Sequence, residues 1–181
     1  LNGVHMELKN SIALVTGGFD PLHSVHIQYL KSAATYADYL IVGVNSDDWL
    51  TRKKGRPFMP IEERVAILNE LLVVDEVITF DDSDDTGCGA IEKVKELYKD
   101  KFGGQFHKKL IFCNGGDRTA ENIPEMERYN GDKWVSFEFG VGGENKINSS
   151  SWILEDYKSA RTERPWGYYS VIHEIGKEIK V

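Results

Sequence analysis

A chain of 181 residues can bury one sizeable α/β core and is short for two. Its 41% hydrophobic and 28% charged residues are ordinary for a globular protein, and no apolar run approaches the length of a membrane span. The net charge of −7 provides no overall positive field, which argues against a nucleic-acid binder but allows a small anionic substrate on a local basic patch. Cys88 and Cys113 predict two reduced thiols in a cytoplasmic protein and no disulfide.

Strand and helix patterns alternate along the chain. The predicted elements are strand Ser11–Gly17, helix Val25–Tyr36, strand Tyr39–Val44, helix Ile61–Leu72, strand Glu76–Phe80, helix Ala90–Lys101, strand Lys109–Cys113, strand Trp134–Phe139 and helix Ser150–Tyr157. A polar loop is predicted over 45–59 and an acidic loop over 81–89. Continuous apolar runs such as 39–44 are typical of parallel strands covered on both faces. The alternation predicts an α/β, Rossmann-like fold, with a doubly wound parallel sheet of about five strands and flanking helices.

The segment 17–26 reads Gly-Gly-Phe-Asp-Pro-Leu-His-Ser-Val-His and joins the first strand to the first helix. His23 and His26 lie three residues apart at the helix start, so they point the same way above the strand ends. A helix N-terminus attracts phosphate, and two imidazoles can stabilise charge that develops during phosphoryl or nucleotidyl transfer. The segment resembles the motif of the HxGH nucleotidyltransferases, and the resemblance extends over roughly residues 11–155. The type is that of glycerol-3-phosphate cytidylyltransferases and heptose-phosphate adenylyltransferases.

The resemblance implies that His23 and His26 are catalytic residues that contact the triphosphate. The resemblance also implies that five further residues lie at the nucleotide. Four of them precede the histidines and one lies between them: Gly17, Gly18, Phe19, Asp20 and Val25. The two glycines either let the backbone approach the nucleotide or form a plain tight turn. The phenylalanine is expected to pack, and the aspartate either orients a loop N–H group or faces the metal.

Val25 stands where the family has glycine. Glycine leaves room for ribose or base against the backbone, and valine adds three carbons there. The site either tolerates the valine with a small shift or loses catalysis through it, and the valine can equally be an acquired or engineered change. The motif therefore leaves open a nucleotide-binding module with little turnover.

A basic run, Arg-Lys-Lys-Gly-Arg-Pro, covers 52–57 in the loop after the second strand. At the carboxyl edge of a sheet it predicts a phosphate clamp, although a solvated loop is the plainer alternative. The resemblance implies that Lys53 or Lys54 is a catalytic lysine that reaches the α-phosphate or the acceptor phosphate. It also implies that Arg64 supports the nucleotide site. The alternative for Arg64 is a surface arginine paired with a nearby glutamate.

Two further segments follow strand ends. Gly116, Asp117 and Arg118 come after the fourth strand and are expected to bind ribose, acceptor hydroxyls or phosphate, or to form only an Asx-type turn. The segment 148–151 precedes the last helix and resembles a family segment that binds triphosphate through N–H and hydroxyl groups; its members are Asn148, Ser149, Ser150 and Ser151. The alternative is a simple helix cap.

Residues 1–5 are expected to be a leader added for expression, because Met6 is a plausible native start. Residues 6–160 form the predicted nucleotidyltransferase domain, and 161–181 form a C-terminal extension. Within the extension the run Arg-Pro-Trp-Gly-Tyr-Tyr at 164–169 resembles the opening of a mannose-6-phosphate isomerase-type cupin domain. We therefore expect either a fused cupin in a longer protein or an extension that packs on the domain or on a second subunit.

The predicted function is nucleotidyl transfer from a nucleoside triphosphate, CTP or ATP, to a small phosphorylated alcohol or sugar, with release of pyrophosphate. CMP transfer is the first choice, and AMP transfer from ATP to a sugar phosphate is the alternative. The resemblance implies Mg²⁺ bound mainly through the nucleotide phosphates, without a dedicated protein metal site. No nucleic-acid or membrane partner is expected, and a homodimer is possible by analogy. A fragment of a class I aminoacyl-tRNA synthetase shares the His-x-x-His arrangement, but the short chain lacks a basic RNA-binding face.

Overall fold

The computed structural model of the protein describes residues 11–101, 109–116, 118–143 and 149–159. In chain order the elements are β1 (Ser11–Gly17), α1 (Ser24–Ala33), β2 (Tyr39–Val44), α2 (Asp47–Lys54), α3 (Ile61–Asn69), β3 (Glu76–Thr79), α4 (Cys88–Lys101), β4 (Lys109–Cys113), α5 (Pro124–Arg128), β5 (Val135–Glu138) and α6 (Ser150–Ser159). The described residues fall into two compact units, divided between Ser150 and Ser151. The first unit contains the sheet.

The five strands form one parallel sheet in the order β3-β2-β1-β4-β5. The first strand lies at the centre, so its carboxyl end is flanked by the loops that follow β2 and β4. A parallel sheet whose strand order reverses at its first strand is doubly wound, and ligands bind at such a switch point. The predicted Rossmann-like α/β fold is confirmed.

The sheet is covered on both faces, as its apolar strands predict. Within β1, Ile12 and Leu14 belong to one buried cluster, while Ala13 and Val15 belong to the other. Successive side chains of a strand point to opposite faces, and the division between the clusters follows from that alternation. Cys88 and Cys113 are buried free thiols, one in each cluster, as predicted.

The predicted polar loop over 45–59 is wrong in its first half, because it contains α2. Ser46 caps this helix by accepting a hydrogen bond from Trp49 N at 3.0 Å. Acidic residues occupy the first turn and basic residues the last, which suits the helix dipole. Gly55 ends the helix with φ of 86°, a conformation that favours glycine. The first three residues of the basic run therefore lie on the last turn of a helix, and the other three follow it.

The other predicted bounds differ from the observed ones mainly by one to three residues. Helix α1 ends at Ala33, because the N–H groups of Thr35 and Tyr36 bond to the carbonyls three residues before them in a tightened turn. Helix α5 has only five residues and was not predicted. Among the helices that the structure describes, none is both long and apolar enough to cross a bilayer.

Candidate active site

The two motif histidines lie together at the N-terminus of α1. His23 is the N-cap residue in extended conformation (φ −148°), and its ring stacks on that of His26 with centroids 3.8 Å apart. Phe19 contacts the His26 ring edge-on at 5.1 Å between centroids. Among the described residues, neither histidine Nδ1 atom has a hydrogen-bond partner, although both atoms are buried. Buried polar groups are normally paired, so these two nitrogens are candidates for hydrogen bonds to a ligand.

Burial and a neighbouring cation keep both imidazoles neutral. Burial, followed by the charge of Lys54, lowers the pKa of His23 to about 4. Burial, followed by the charges of His23 and Lys54, lowers the pKa of His26 to about 3. At neutral pH each free ring therefore carries one N–H donor and one acceptor nitrogen. A bound polyanion would oppose both causes and raise these pKa values.

The structure separates the two candidate lysines. The ammonium of Lys54 lies close enough to affect both histidines, and its Nζ donates a hydrogen bond to the carbonyl of Asp20 at 3.3 Å. Burial lowers the pKa of Lys54 as well. Lys53 instead lies over the ring of Trp49, with Nζ 5.6 Å from the ring centroid. Of the two lysines, Lys54 is therefore the one that lies beside the histidines.

Asp20 holds the loop that follows α2. Its two carboxylate oxygens accept hydrogen bonds from the backbone N–H groups of Phe58 and Met59, at 2.7 and 2.8 Å. The residue is almost completely buried. Of the two predicted roles, the orientation of a loop N–H group is the one that this geometry favours, and Asp20 lies behind the site as a structural residue.

The side chain of Arg64 is completely buried, so it is not a surface residue. The carboxylate that pairs with it belongs to an aspartate and not to a glutamate. The guanidinium donates to three backbone carbonyls and to one carboxylate; the acceptors belong to Gly18, Asn45, Met59 and Asp47. These acceptors follow β1, follow β2 and precede α3, so a single cation joins three segments around the site. These contacts suit an arginine that supports the nucleotide site by holding its loops, and a direct contact between Arg64 and a nucleotide stays a prediction.

The glycines before the histidines lie in tight packing against neighbouring side chains. A Cβ built on Gly18 would lie 2.9 Å from Leu50 Cδ2, and one on Gly17 would lie 3.1 Å from the ring of Phe19. Phe19 itself is buried with φ of 49°, an uncommon value for a residue with a side chain. The expected packing role of Phe19 agrees with this position, and its contact with His26 adds a function that the sequence did not indicate.

Val25 occupies the second position of α1, between the two histidines in sequence. Its side chain is half-buried. Neither of the two apolar clusters of the described residues includes it. The valine therefore contributes little to the core while it occupies space in the turn that carries the catalytic candidates.

The turn after β4 is bound to α1 through a tyrosine that sequence reasoning missed. Tyr29 Oη donates a hydrogen bond to the carbonyl of Cys113. A Cβ on Gly115 would lie 3.0 Å from the Tyr29 ring, and a Cβ on Gly142 would lie 2.9 Å from Tyr29 Cα. The two Gly-Gly pairs at 115–116 and 142–143 were the available signal. Through Tyr29, the loops after β4 and β5 lie against the helix that carries His26.

The structure describes some of the remaining residues that were predicted to bind the nucleotide. Gly116 (φ 67°) and Arg118 are exposed in the turn after β4. Ser150, the last residue of the first unit, donates a hydrogen bond from Oγ to the carbonyl of Pro21 at 3.0 Å. Ser149 precedes that helix, and Ser151 is the first residue of the second unit. Asp117 and Asn148 lie outside the described residues.

The carboxylates near the site are already engaged. Asp20 accepts two backbone N–H groups, Asp47 binds Arg64, and Asp82 accepts hydrogen bonds from Asn45 and Ser46. Within the described ranges there is no group of three or more His, Cys, Asp or Glu side chains that could hold a metal ion.

Comparisons with known proteins agree with this geometry. Two proteins named bifunctional protein HldE are similar to the chain: that of Geobacter metallireducens is 34% identical over 81% of this chain and 27% of its own length, and that of Proteus mirabilis is 36% identical over 76% and 27%. The chain thus spans about a quarter of the length of these relatives. A solved lipopolysaccharide core biosynthesis protein from Thermoplasma volcanium is 26% identical over 72% of this chain and 93% of its own, with a TM-score of 0.50.

A second solved structure, a NadR protein in complex with NAD and AMP-PNP, shares the fold at 19% identity and a TM-score of 0.51, over 83% of this chain and 44% of its own. The profile of the cytidylyltransferase-like family matches residues 14–134, which include the histidine pair, Lys54, Arg64 and the turn after β4. The chain therefore belongs to the cytidylyltransferase-like family and is a nucleotidyltransferase.

Proposed function

We propose that this nucleotidyltransferase transfers an adenylyl group from ATP to a sugar phosphate and releases pyrophosphate. The observation that carries the proposal is the pair of unpartnered Nδ1 atoms of His23 and His26 at the N-terminus of α1. The choice of ATP rests on the HldE relatives and on the resemblance to heptose-phosphate adenylyltransferases. The preference for CMP expected from the sequence receives no support from these relatives, so the alternative takes its place.

The reaction is a substitution at the α-phosphorus. An oxygen of the acceptor phosphate forms a new bond to this phosphorus, the bond to the β-bridging oxygen breaks, and pyrophosphate leaves with that electron pair. The neutral imidazoles can each donate a hydrogen bond to phosphate oxygens whose charge increases during the step. Because the rings are fixed by stacking and by Phe19, these donors need little reorganisation.

Lys54 is proposed to supply the positive charge. Its ammonium lies beside the histidines, on the last turn of α2, and can compensate charge on the α-phosphate or on the acceptor phosphate. The backbone N–H groups in the first turn of α1 provide further donors to the triphosphate. Mg²⁺, bound through phosphate oxygens, would neutralise the leaving pyrophosphate, while the engaged carboxylates leave its coordination mainly to substrate and water.

Several other expectations stay predictions. These are a cytoplasmic location, a homodimer, a fused cupin domain, and the absence of nucleic-acid and membrane partners. The activity proposed here is that of the 181-residue chain, which spans about a quarter of the length of the matched relatives.

The test is pyrophosphate release with Mg²⁺, in which ATP, CTP, GTP and UTP are each offered with phosphorylated sugars and alcohols. We expect turnover with ATP and a sugar phosphate. In the same assay Lys54→Met should lower kcat by about 100-fold, whereas Lys53→Met, a matched change on the same turn, should stay within about threefold. Turnover with CTP but not ATP would refute the nucleotide assignment. ATP binding without turnover, restored to turnover by Val25→Gly, would favour the alternative of a binding module.

A further inference from the structure

The acidic loop after β3 holds the start of α2. Asp82 is buried, and its Oδ2 accepts hydrogen bonds from Ser46 N at 2.7 Å and from Asn45 Nδ2 at 3.0 Å. Its Oδ1 accepts the hydroxyl of Ser46 at 2.6 Å. The same hydroxyl oxygen caps α2 by accepting Trp49 N. Asp82 therefore fixes the residue that starts the helix.

A second contact holds the same helix further along. Arg52 donates from Nη2 to the carbonyl of Asp82 at 2.7 Å and from Nε to Asp85 Oδ1 at 3.1 Å. Arg52 is thus used inside the protein and is not part of a free phosphate clamp. The acidic loop binds α2 at its N-cap and near its C-terminal turn, and Lys54 is the last residue of that helix.

We propose that Asp82 is a positioning residue that acts through Ser46 and α2 to place the Lys54 ammonium beside the two histidines. The inference rests on the proposed function, because it assumes that Lys54 acts on the phosphates. The carboxylate makes no contact with the histidines in this arrangement. Its effect is transmitted by a rigid helix of eight residues, so a small rotation at the N-cap displaces the side chain at the other end.

The experiment is a double-mutant cycle on the full chain with ATP, Mg²⁺ and the acceptor found in the screen. Asp82→Asn should lower kcat by about tenfold, because the shape is kept while an NH2 group replaces one of the two carboxylate oxygens that accept hydrogen bonds from Ser46. In the Lys54→Met background the same change should alter kcat by less than twofold, since the group that it positions is absent. A purely structural role would lower kcat equally in both backgrounds.

Asp75→Asn is the control. Asp75 Oδ2 accepts a hydrogen bond from Leu40 N at 2.8 Å at the start of β2, whereas the partners of Asp82 follow the end of the same strand. Asp75→Asn should lower the melting temperature less than Asp82→Asn does, because Asp75 is exposed and Asp82 is buried, and it should leave kcat within twofold. Additive effects of Asp82→Asn and Lys54→Met, or an unchanged kcat in Asp82→Asn, would overturn the inference while the proposed function stands. A wild-type chain that neither binds nor turns over any nucleotide would overturn both.

Discussion

Replacement of Arg64 by methionine tests how strongly one buried cation holds the loops of the site. The carbonyl of Asn45 is fully buried, and leaving it unpaired costs about 1–3 kcal/mol. The bonds to Gly18, Met59 and Asp47 are partly buried, and the loss of each costs about 0.5–1.5 kcal/mol. Methionine recovers some packing, so we expect Arg64→Met to lower the free energy of unfolding by about 4 kcal/mol, in the lower half of the sum of these costs.

The assay is urea unfolding followed by circular dichroism, with the wild type and Arg128→Met as references. Arg128 is exposed on α5, with its guanidinium carbon 6.0 Å from the ring centroid of Tyr129, so its loss should cost less than about 1 kcal/mol. The slope of unfolding with urea should be unchanged if only the native state is affected. A loss below about 1 kcal/mol in Arg64→Met would show that the four hydrogen bonds do not organise the loops.

Three further predictions concern other parts of the molecule. Val25→Gly should raise kcat/KM for ATP by about tenfold, since one branched side chain in a site is worth about 1–3 kcal/mol, and steady-state kinetics with an unchanged or lower value would contradict this. Gly89→Ala should lower the free energy of unfolding by about 2 kcal/mol, because its Cβ would lie 2.2 Å from the carbonyl oxygen of Asp81; an unaltered urea midpoint would count against it. The pKa of His23 lies at about 4 and that of His26 at about 3, whereas both are near 6.5 in the unfolded chain. As the pH falls below 6.5, the unfolded chain therefore binds protons that the folded chain does not, and this destabilises the folded state. Between pH 7 and pH 5 the wild type should therefore lose about 3 kcal/mol of stability more than a His23→Asn/His26→Asn variant, about 2 kcal/mol of it from His26 and less from the half-exposed His23, and equal losses would refute the lowered pKa values.

The strands could be predicted because their signal is local. A parallel strand that is covered on both faces needs a continuous apolar run, and β2 and β4 match their predicted bounds for that reason. Helix α2 gave no such signal, since Leu50 is its only buried residue and, apart from Trp49, the rest of it is polar. Its cap and its basic last turn resemble a loop when they are read without the acidic segment that holds them.

The residues of the site likewise fall into those with a local sequence signal and those without one. His23 and His26 were found because two imidazoles at one helix start form a pattern within four residues. The roles of Arg64 and Tyr29 depend on partners far away in sequence, at 18, 45 and 47 for the first and at 113 and 142 for the second. Spacing alone contains no information about such partners, which only the order of the strands brings together.

The acceptors of Arg64 have a consequence for how this enzyme can diverge. Three of its four acceptors are main-chain oxygens, which every amino acid possesses. The hydrogen bonds of the guanidinium therefore depend on the position of the backbone and not on which side chains stand at 45 and 59. A change of the side chain at Met59, for example, leaves its carbonyl acceptor in place. A frame of this kind allows acceptor preference to drift among descendants of one ancestral gene without loss of the catalytic geometry.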